Sequence, residues 1–319
     1  MAAQTRPLTQ TRRRLVVVVA GLLVLACDRA MPGRAEEGPD RGPGPGPQYT
    51  LVYERVVGGN QDLYVVETST GLERRLTDHR AQDGMPRFTP DGRRVIFSSD
   101  RSGSFQLYEV ALSGGEPRRL RSNGFTEWQA DLAPDGTSLA FLSKQRGPEC
   151  LFLMDLKTQG ERLLVCHKNR SILGNPDFSP DGRQITFSSN HSIGHQIYLV
   201  EVGTGSERRL SGFRRGGCEP RFHPDGTRVV YVSRGHLAET SRLAELDLRT
   251  GQEKILVNWP ALNYDPVYSP DGSELAFASN ITGEYAIYRQ NLTTGKSWRV
   301  THGQDEARYP DYRPLTADR

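Results

Sequence analysis

The chain has 319 residues, of which 36% are apolar, 33 are Gly and 20 are Pro; this suffices for a substantial core and excludes disorder over most of its length. Its formal net charge is +3, from 41 basic and 38 acidic residues. Four of those bases, Arg6, Arg12, Arg13 and Arg14, precede every acidic residue, and from Cys27 onward 37 bases face 38 acids, which excludes a general phosphate-tracking surface and, with it, nucleic acid as a partner.

Arg12-Arg13-Arg14 leads into a twelve-residue apolar run, Leu15 to Ala26. A charged start followed by so short an apolar stretch matches an export signal better than a bilayer span. Val24-Leu25-Ala26-Cys27 resembles the lipobox of bacterial lipoproteins. The resemblance implies that residues 1–26 are a signal peptide and that Cys27 becomes a lipidated N-terminus on the periplasmic side of a membrane. A plain cleaved signal or an uncleaved anchor are the alternatives, and the choice of membrane stays open. Residues 27–48 are then a tether, because Gly42-Pro43-Gly44-Pro45-Gly46-Pro47 can sustain neither a helix nor a ladder. At about 3 Å per residue it reaches roughly 60 Å.

From Tyr49 to Pro314 the chain repeats. Pro-Asp-Gly recurs at 90–92, 134–136, 180–182, 224–226 and 270–272, and a degenerate sixth copy lies at Tyr309–Pro314. The tripeptide is hairpin-turn chemistry: Pro presets φ, Asp tolerates the second position and Gly takes the left-handed one. Three further columns keep the same phase. They are Tyr53, Phe97, Phe141, Phe187, Tyr231 and Phe277; Tyr64, Tyr108, Phe152, Tyr198, Ala244 and Tyr288; and Leu76, Leu120, Leu164, Leu210, Leu256 and Val300. Four short strands per unit of about 44 residues predict an all-β propeller. The repeat opens on a second-strand sequence and closes on a first-strand one, so one blade is split between the ends and the count is six. Residues 315–319 are a tail.

The pattern is sharpest at Pro176-Asp177-Phe178-Ser179-Pro180-Asp181-Gly182-Arg183-Gln184-Ile185-Thr186-Phe187-Ser188-Ser189, with Gln196-Ile197-Tyr198 and Glu207-Arg208-Arg209-Leu210 after it. It resembles the β-propeller repeat of the TolB family over residues 49–314. The absence of a Trp-Asp dipeptide argues against the WD type. The resemblance implies a cell-envelope protein, since TolB propellers bind the peptidoglycan-associated lipoprotein and other envelope partners. TolB proteins carry an α/β domain ahead of the propeller where a tether is expected here, so the partner does not carry over. Similar repeats occur in oligogalacturonate lyases and beside prolyl-oligopeptidase catalytic domains.

The Pro-Asp-Gly tips must share one face, opposite longer and less uniform crossover loops, where a rigid ring places binding chemistry. Residues entering each inner strand are expected to rim the channel there: Asp83, Glu127, Trp128, Asn175, Cys218 and Glu219, then Asn263, Tyr264, Asp265, Arg308 and Tyr309. With Trp259 on a crossover, this mixture of aromatics, Arg and carboxylates suits a protein or peptide partner. For Trp128, Trp259 and Tyr264, packing of loops onto the ring is an equal alternative. Deeper in the channel, Asp311 is expected to pair with Arg87, and Asp177 with Arg221.

Neither Gly-x-Ser-x-Gly nor His-Glu-x-x-His occurs, which excludes serine and zincin hydrolases of those patterns. His167, His191, His195 and His236 gather on the expected loop face and are the weak candidates for a metal, with packing or plain solvation as the stronger reading. His195 sits in the column of Phe105 and Tyr285 and is expected to pack as an aromatic. Cys150 and Cys166 share parity on successive strands, so a disulfide worth about 3 kcal/mol can form between them in an exported protein. Cys218 reads as a buried small residue. The expectation is therefore a monomeric, membrane-tethered, non-catalytic propeller without cofactor that binds an envelope protein or peptide. A metal-dependent carbohydrate-active enzyme or glycan-binding propeller is the alternative.

Overall fold

A computed structural model describes residues 48–167, 171–192, 194–212, 216–234 and 239–315. Cys27, the leader, nearly all of the tether, His236 and residues 316–319 lie outside them. The described residues form six four-stranded antiparallel sheets arranged as a propeller. Blade one joins the two ends of the chain: β24 (Glu306–Tyr312) is innermost, with β1 (Thr50–Val57), β2 (Asn60–Glu67) and β3 (Glu73–Arg75) outward of it. Blade two contains β4 (Asp83–Phe88), β5 (Arg94–Ser99), β6 (Gln106–Ala111) and β7 (Arg118–Arg119), and blade three β8 (Glu127–Leu132), β9 (Ser138–Ser143), β10 (Cys150–Asp155) and β11 (Glu161–Cys166). Blade four is β12 (Leu173–Phe178), β13 (Gln184–Ser189), β14 (Gln196–Glu201) and β15 (Glu207–Arg209). Blade five is β16 (Gly217–Phe222), β17 (Arg228–Arg234), β18 (Ser241–Asp247) and β19 (Glu253–Val257). Blade six is β20 (Asn263–Tyr268), β21 (Glu274–Ser279), β22 (Ala286–Asn291) and β23 (Ser297–Arg299).

The repeated residues account for this regularity. At each Pro-Asp-Gly tip the Gly takes φ between +63° and +72°, a region costly for other residues. The Asp carboxylate accepts the N–H two residues on, from Arg93, Thr137, Arg183, Thr227 and Ser273, at 2.8–3.0 Å. Two of the aromatic columns face each other across the middle strands: Tyr53 is opposite Tyr64, Phe97 opposite Tyr108, Phe141 opposite Phe152, Phe187 opposite Tyr198 and Phe277 opposite Tyr288. Their ring centroids lie 5.5–6.1 Å apart, within the range where aromatic pairs add stability. In blade five Ala244 removes one ring, and Gly217 lies against Tyr231.

The core is divided among the seams between blades. Val52, Leu63 and Val65 of blade one, for example, pack with Phe88, Val95, Phe97 and Tyr108 of blade two. Each blade buries its faces only with a neighbour, so the composite blade is needed at the seams on either side of it. There Leu51 pairs with Tyr312 and Arg55 with Ala307. Cys150 and Cys166 stand directly opposite each other, with Cα atoms 4.5 Å and sulfurs 1.96 Å apart in a disulfide.

Candidate functional site

The loop-face mouth of the channel is built by one strained residue per blade. Met85, Gln129, Asn175, Glu219, Asp265 and Tyr309 all have φ between +47° and +56°. In every blade but one the chain reaches it through a break in strand register and leaves it through a Pro. Gln129, followed by Ala130, departs only in lacking the Pro. A left-handed non-glycine residue costs of order 1 kcal/mol or more. Its sixfold recurrence marks it as architecture: the kink turns these side chains toward the mouth and aims their N–H groups at the preceding blade. In five blades a side chain there accepts the N–H. Gln129 takes the N–H of Asn175 at 2.9 Å, Glu219 that of Asp265 at 2.7 Å, and Glu54 that of Met85 at 2.8 Å.

A second layer lies deeper. Asp311, Asp131 and Asp177 accept the backbone N–H groups of Phe88, Phe178 and Phe222 in the next blade, at 2.7–2.8 Å. Arg87 lies 3.4 Å from Asp311, and Arg221 lies 2.9 Å from Asp177 while also meeting Asp311 across the channel. Burial pushes Asp311 up to about 6 against the opposing charge of Arg87. Burial also raises Asp177, and the charge of Asp131 adds to the effect. The carboxylates thus tie blade to blade while the arginines offset their charge.

At the mouth, blades five, six and one converge on Arg308. Its guanidinium makes two bonds to Asp265, 2.8 and 3.2 Å long. It also lies 5.1, 4.9 and 5.2 Å from the ring centroids of Tyr264, Tyr285 and Tyr309. Arg234 flanks the same group and donates to the Tyr264 hydroxyl at 3.0 Å. Burial raises Glu54 to about 8, opposed by its bond from Met85 and the charge of Arg308. Glu219 is raised as well, by burial and then by Asp265. The channel itself is narrow here, a cavity of about 30 Å³, or room for about one water.

The expected rim residues separate into two groups. Asn175, Glu219, Arg308 and Tyr309 are partly exposed at the mouth. Asp83, Glu127 and Asn263 are fully buried beneath it, the first two paired with Arg101 and Arg121. Trp128, Tyr264 and Asp265 are only 3%, 5% and 6% exposed, and Trp259 packs edge-on against Phe277 and Tyr288. Asp265 is covered by its bonds to Arg308, whereas Trp128, Tyr264 and Trp259 are packed as aromatics. Cys218 packs beside Tyr264, and burial pushes its thiol up. The rim reading missed Met85, Gln129, Glu54, Arg234 and Tyr285. In five of the six repeats the residue before the first Pro of the inner strand was a usable signal for the left-handed position.

Of the histidines, His167 and His191 come together with ring centroids 3.6 Å apart, beside Glu207. Burial and the neighbouring His167 hold His191 below the usual imidazole range, against the charge of Glu207. His195 is not part of that group, and burial followed by the charge of Arg234 lowers it. On the tip face a wider cleft of about 900 Å³ opens between blades two and three, lined by Pro90, Arg94, Glu109, Pro134 and Arg313 among others.

A family model for the TolB beta propeller domain matches residues 44–171 and 160–316. Over 238 residues the chain is 26% identical to the Tol-Pal system protein TolB of Francisella tularensis subsp. mediasiatica, covering 74% of this chain and 44% of that protein. It spans less than half the length of the curated relatives it matches. The crystal structure of TolB from Acinetobacter baumannii superposes with a TM-score of 0.74 at 21% identity, covering 83% of this chain and 67% of that one. An oligogalacturonate lyase in complex with manganese gives 0.53 at 16% identity, covering 80% and 74%. At these identities the likeness to solved structures is one of fold. The chain belongs to the TolB β-propeller domain family.

Proposed function

We propose that this member of the TolB propeller family is a non-catalytic envelope protein, tethered to a membrane through lipid on Cys27, that binds a protein or peptide at its loop-face mouth. The observation that carries the reading is Arg308, held by Asp265 in a fixed orientation among three tyrosines. Arg and Tyr are the residues that dominate protein interfaces when they are held rigidly and partly desolvated. The mouth cavity of about 30 Å³ is far smaller than the several hundred Å³ that enclose a small ligand, which favours a partner recognised over a surface.

The test is a pull-down from native envelope extract with the full chain as bait, run beside an Arg308→Lys, Tyr309→Ala variant. Lys keeps the charge but loses the two-pronged contact. The expected outcome is a specific protein retained by the wild type and lost by a variant whose circular dichroism is unchanged. Equal retention by both would remove the mouth from the reading. Retention of glycan in place of protein would favour the carbohydrate-binding alternative.

A further inference from the structure

Away from the mouth, His167 follows β11 at the exit from blade three, His191 lies in the turn between β13 and β14 of blade four, and Glu207 opens β15. Both imidazole Nδ1 atoms are 3.1 Å from the hydroxyl oxygen of Ser189, which is fully buried. The Ser189 oxygen also accepts the backbone N–H of His191 at 3.3 Å, so its second lone pair and its O–H serve one ring each. Both Nε2 atoms face Glu207, at 2.9 Å for His167 and 3.9 Å for His191. Three potential ligand atoms thus converge on one point, which a cation could occupy.

Two other blades show a cation in the corresponding place. Glu73 in blade one and Glu161 in blade three occupy the same repeat position as Glu207, three residues before the leucine column. Glu73 pairs with Arg55 at 2.5 Å, and Glu161 with Arg121 at 2.7 Å. Each of these guanidinium groups also lies over a ring of its blade's aromatic pair, at 5.5 Å from Tyr64 and 5.0 Å from Phe141. Blade four keeps the carboxylate and the rings Phe187 and Tyr198, and sets two imidazoles against them where the guanidinium would be.

We propose that His167, His191 and Glu207 bind a divalent transition metal, zinc being the best match, which clamps the crossover leaving blade three onto the outer edge of blade four. Two imidazoles and a carboxylate are a zinc-type ligand set, poorly suited to magnesium or calcium. The candidate ligand atoms all lie within 4.8 Å of one another. Tetrahedral zinc with bonds of about 2.1 Å spaces its ligands about 3.4 Å apart, so modest side-chain adjustment closes the site. Ser189 supplies the outer hydrogen bonds that orient both rings. The three side chains are 14%, 27% and 24% exposed, leaving solvent access for a fourth ligand.

The experiment uses the untagged full-length chain, loaded with zinc chloride, desalted and assayed for metal, with cobalt chloride as the spectroscopic probe. About one metal per chain is expected, with visible bands of tetrahedral cobalt that zinc abolishes and a thermal midpoint raised by zinc. His191→Gln and Glu207→Gln should each lose the metal and the midpoint shift, His195→Gln should keep both, and Ser189→Ala should bind about tenfold more weakly. Substoichiometric uptake by the wild type would mean that a proton is the cation and would overturn the proposal. Undiminished uptake by both the His191 and the Glu207 variants would overturn it as well.

Discussion

The two ends of the propeller treat the same chemical group in opposite ways. At the tips, carboxylates are half-exposed and stabilised as anions: hydrogen bonds from the Thr89 and Ser179 side chains hold Asp91 and Asp181 below the usual range, and the Thr137 N–H does so for Asp135. In the channel and mouth, burial outweighs the bonds that Glu54, Asp131 and Asp311 accept and pushes all three up. A tip closes on itself and needs only its own few residues. A mouth carboxyl accepts from the next blade, and its state depends on the assembled ring.

The contrast is broken most completely by removing β24 with residues 306–319. That strand supplies Tyr312 to the seams, Arg308 and Tyr309 to the mouth, and Asp311 to the layer beneath it. The expected result is loss of the cooperative thermal transition, and an unchanged midpoint would refute the closure by both chain ends. Next in size is Asp311→Ala, which leaves Arg87 and Arg221 without a shared partner. Urea unfolding should show a loss of roughly 3–5 kcal/mol, as for other broken buried pairs. A pH series separates the two ends. Glu54 has a folded pKa near 8, above its unfolded value. Its contribution is therefore full below about pH 4 and declines as pH rises toward 8 and through it. The midpoint should fall over that window, and Glu54→Gln should flatten the fall. The tip aspartates, whose pKa values are lowered on folding, lose their contribution only under acid, as pH drops through their folded values. The smallest effect is Asp181→Ala, which removes the bonds from Ser179 and Arg183 and should cost about 1 kcal/mol in the same assay without altering the mouth.

The fold was legible because its determinants are local and repeated. Pro-Asp-Gly reports a tip wherever it occurs, and the columns through Phe97 and Tyr108 pair as their phase requires. The Asp311–Arg87 and Asp177–Arg221 pairs were legible for the same reason, since neighbouring blades bring one column into a ring. The mouth was only partly legible. Asp83 and Asn263 share the repeat position just ahead of the rim, but the depth of a residue depends on how the crossover folds over it, and both are sealed below. Tyr285 lies on a different hairpin and reaches Arg308 only in three dimensions. Glu207 reads as one more glutamate of an ion-pair column, and nothing in its own strand announces that two histidines replace the arginine.

The split blade also determines how the molecule presents itself. β1 begins and β24 ends at the tip face, where the Arg313 N–H bonds to the Thr50 carbonyl and the Arg313 side chain donates to Gly92. The ring is therefore closed on its tip side, and a label attached at Gln48 or Leu315 would sit on the face away from the mouth.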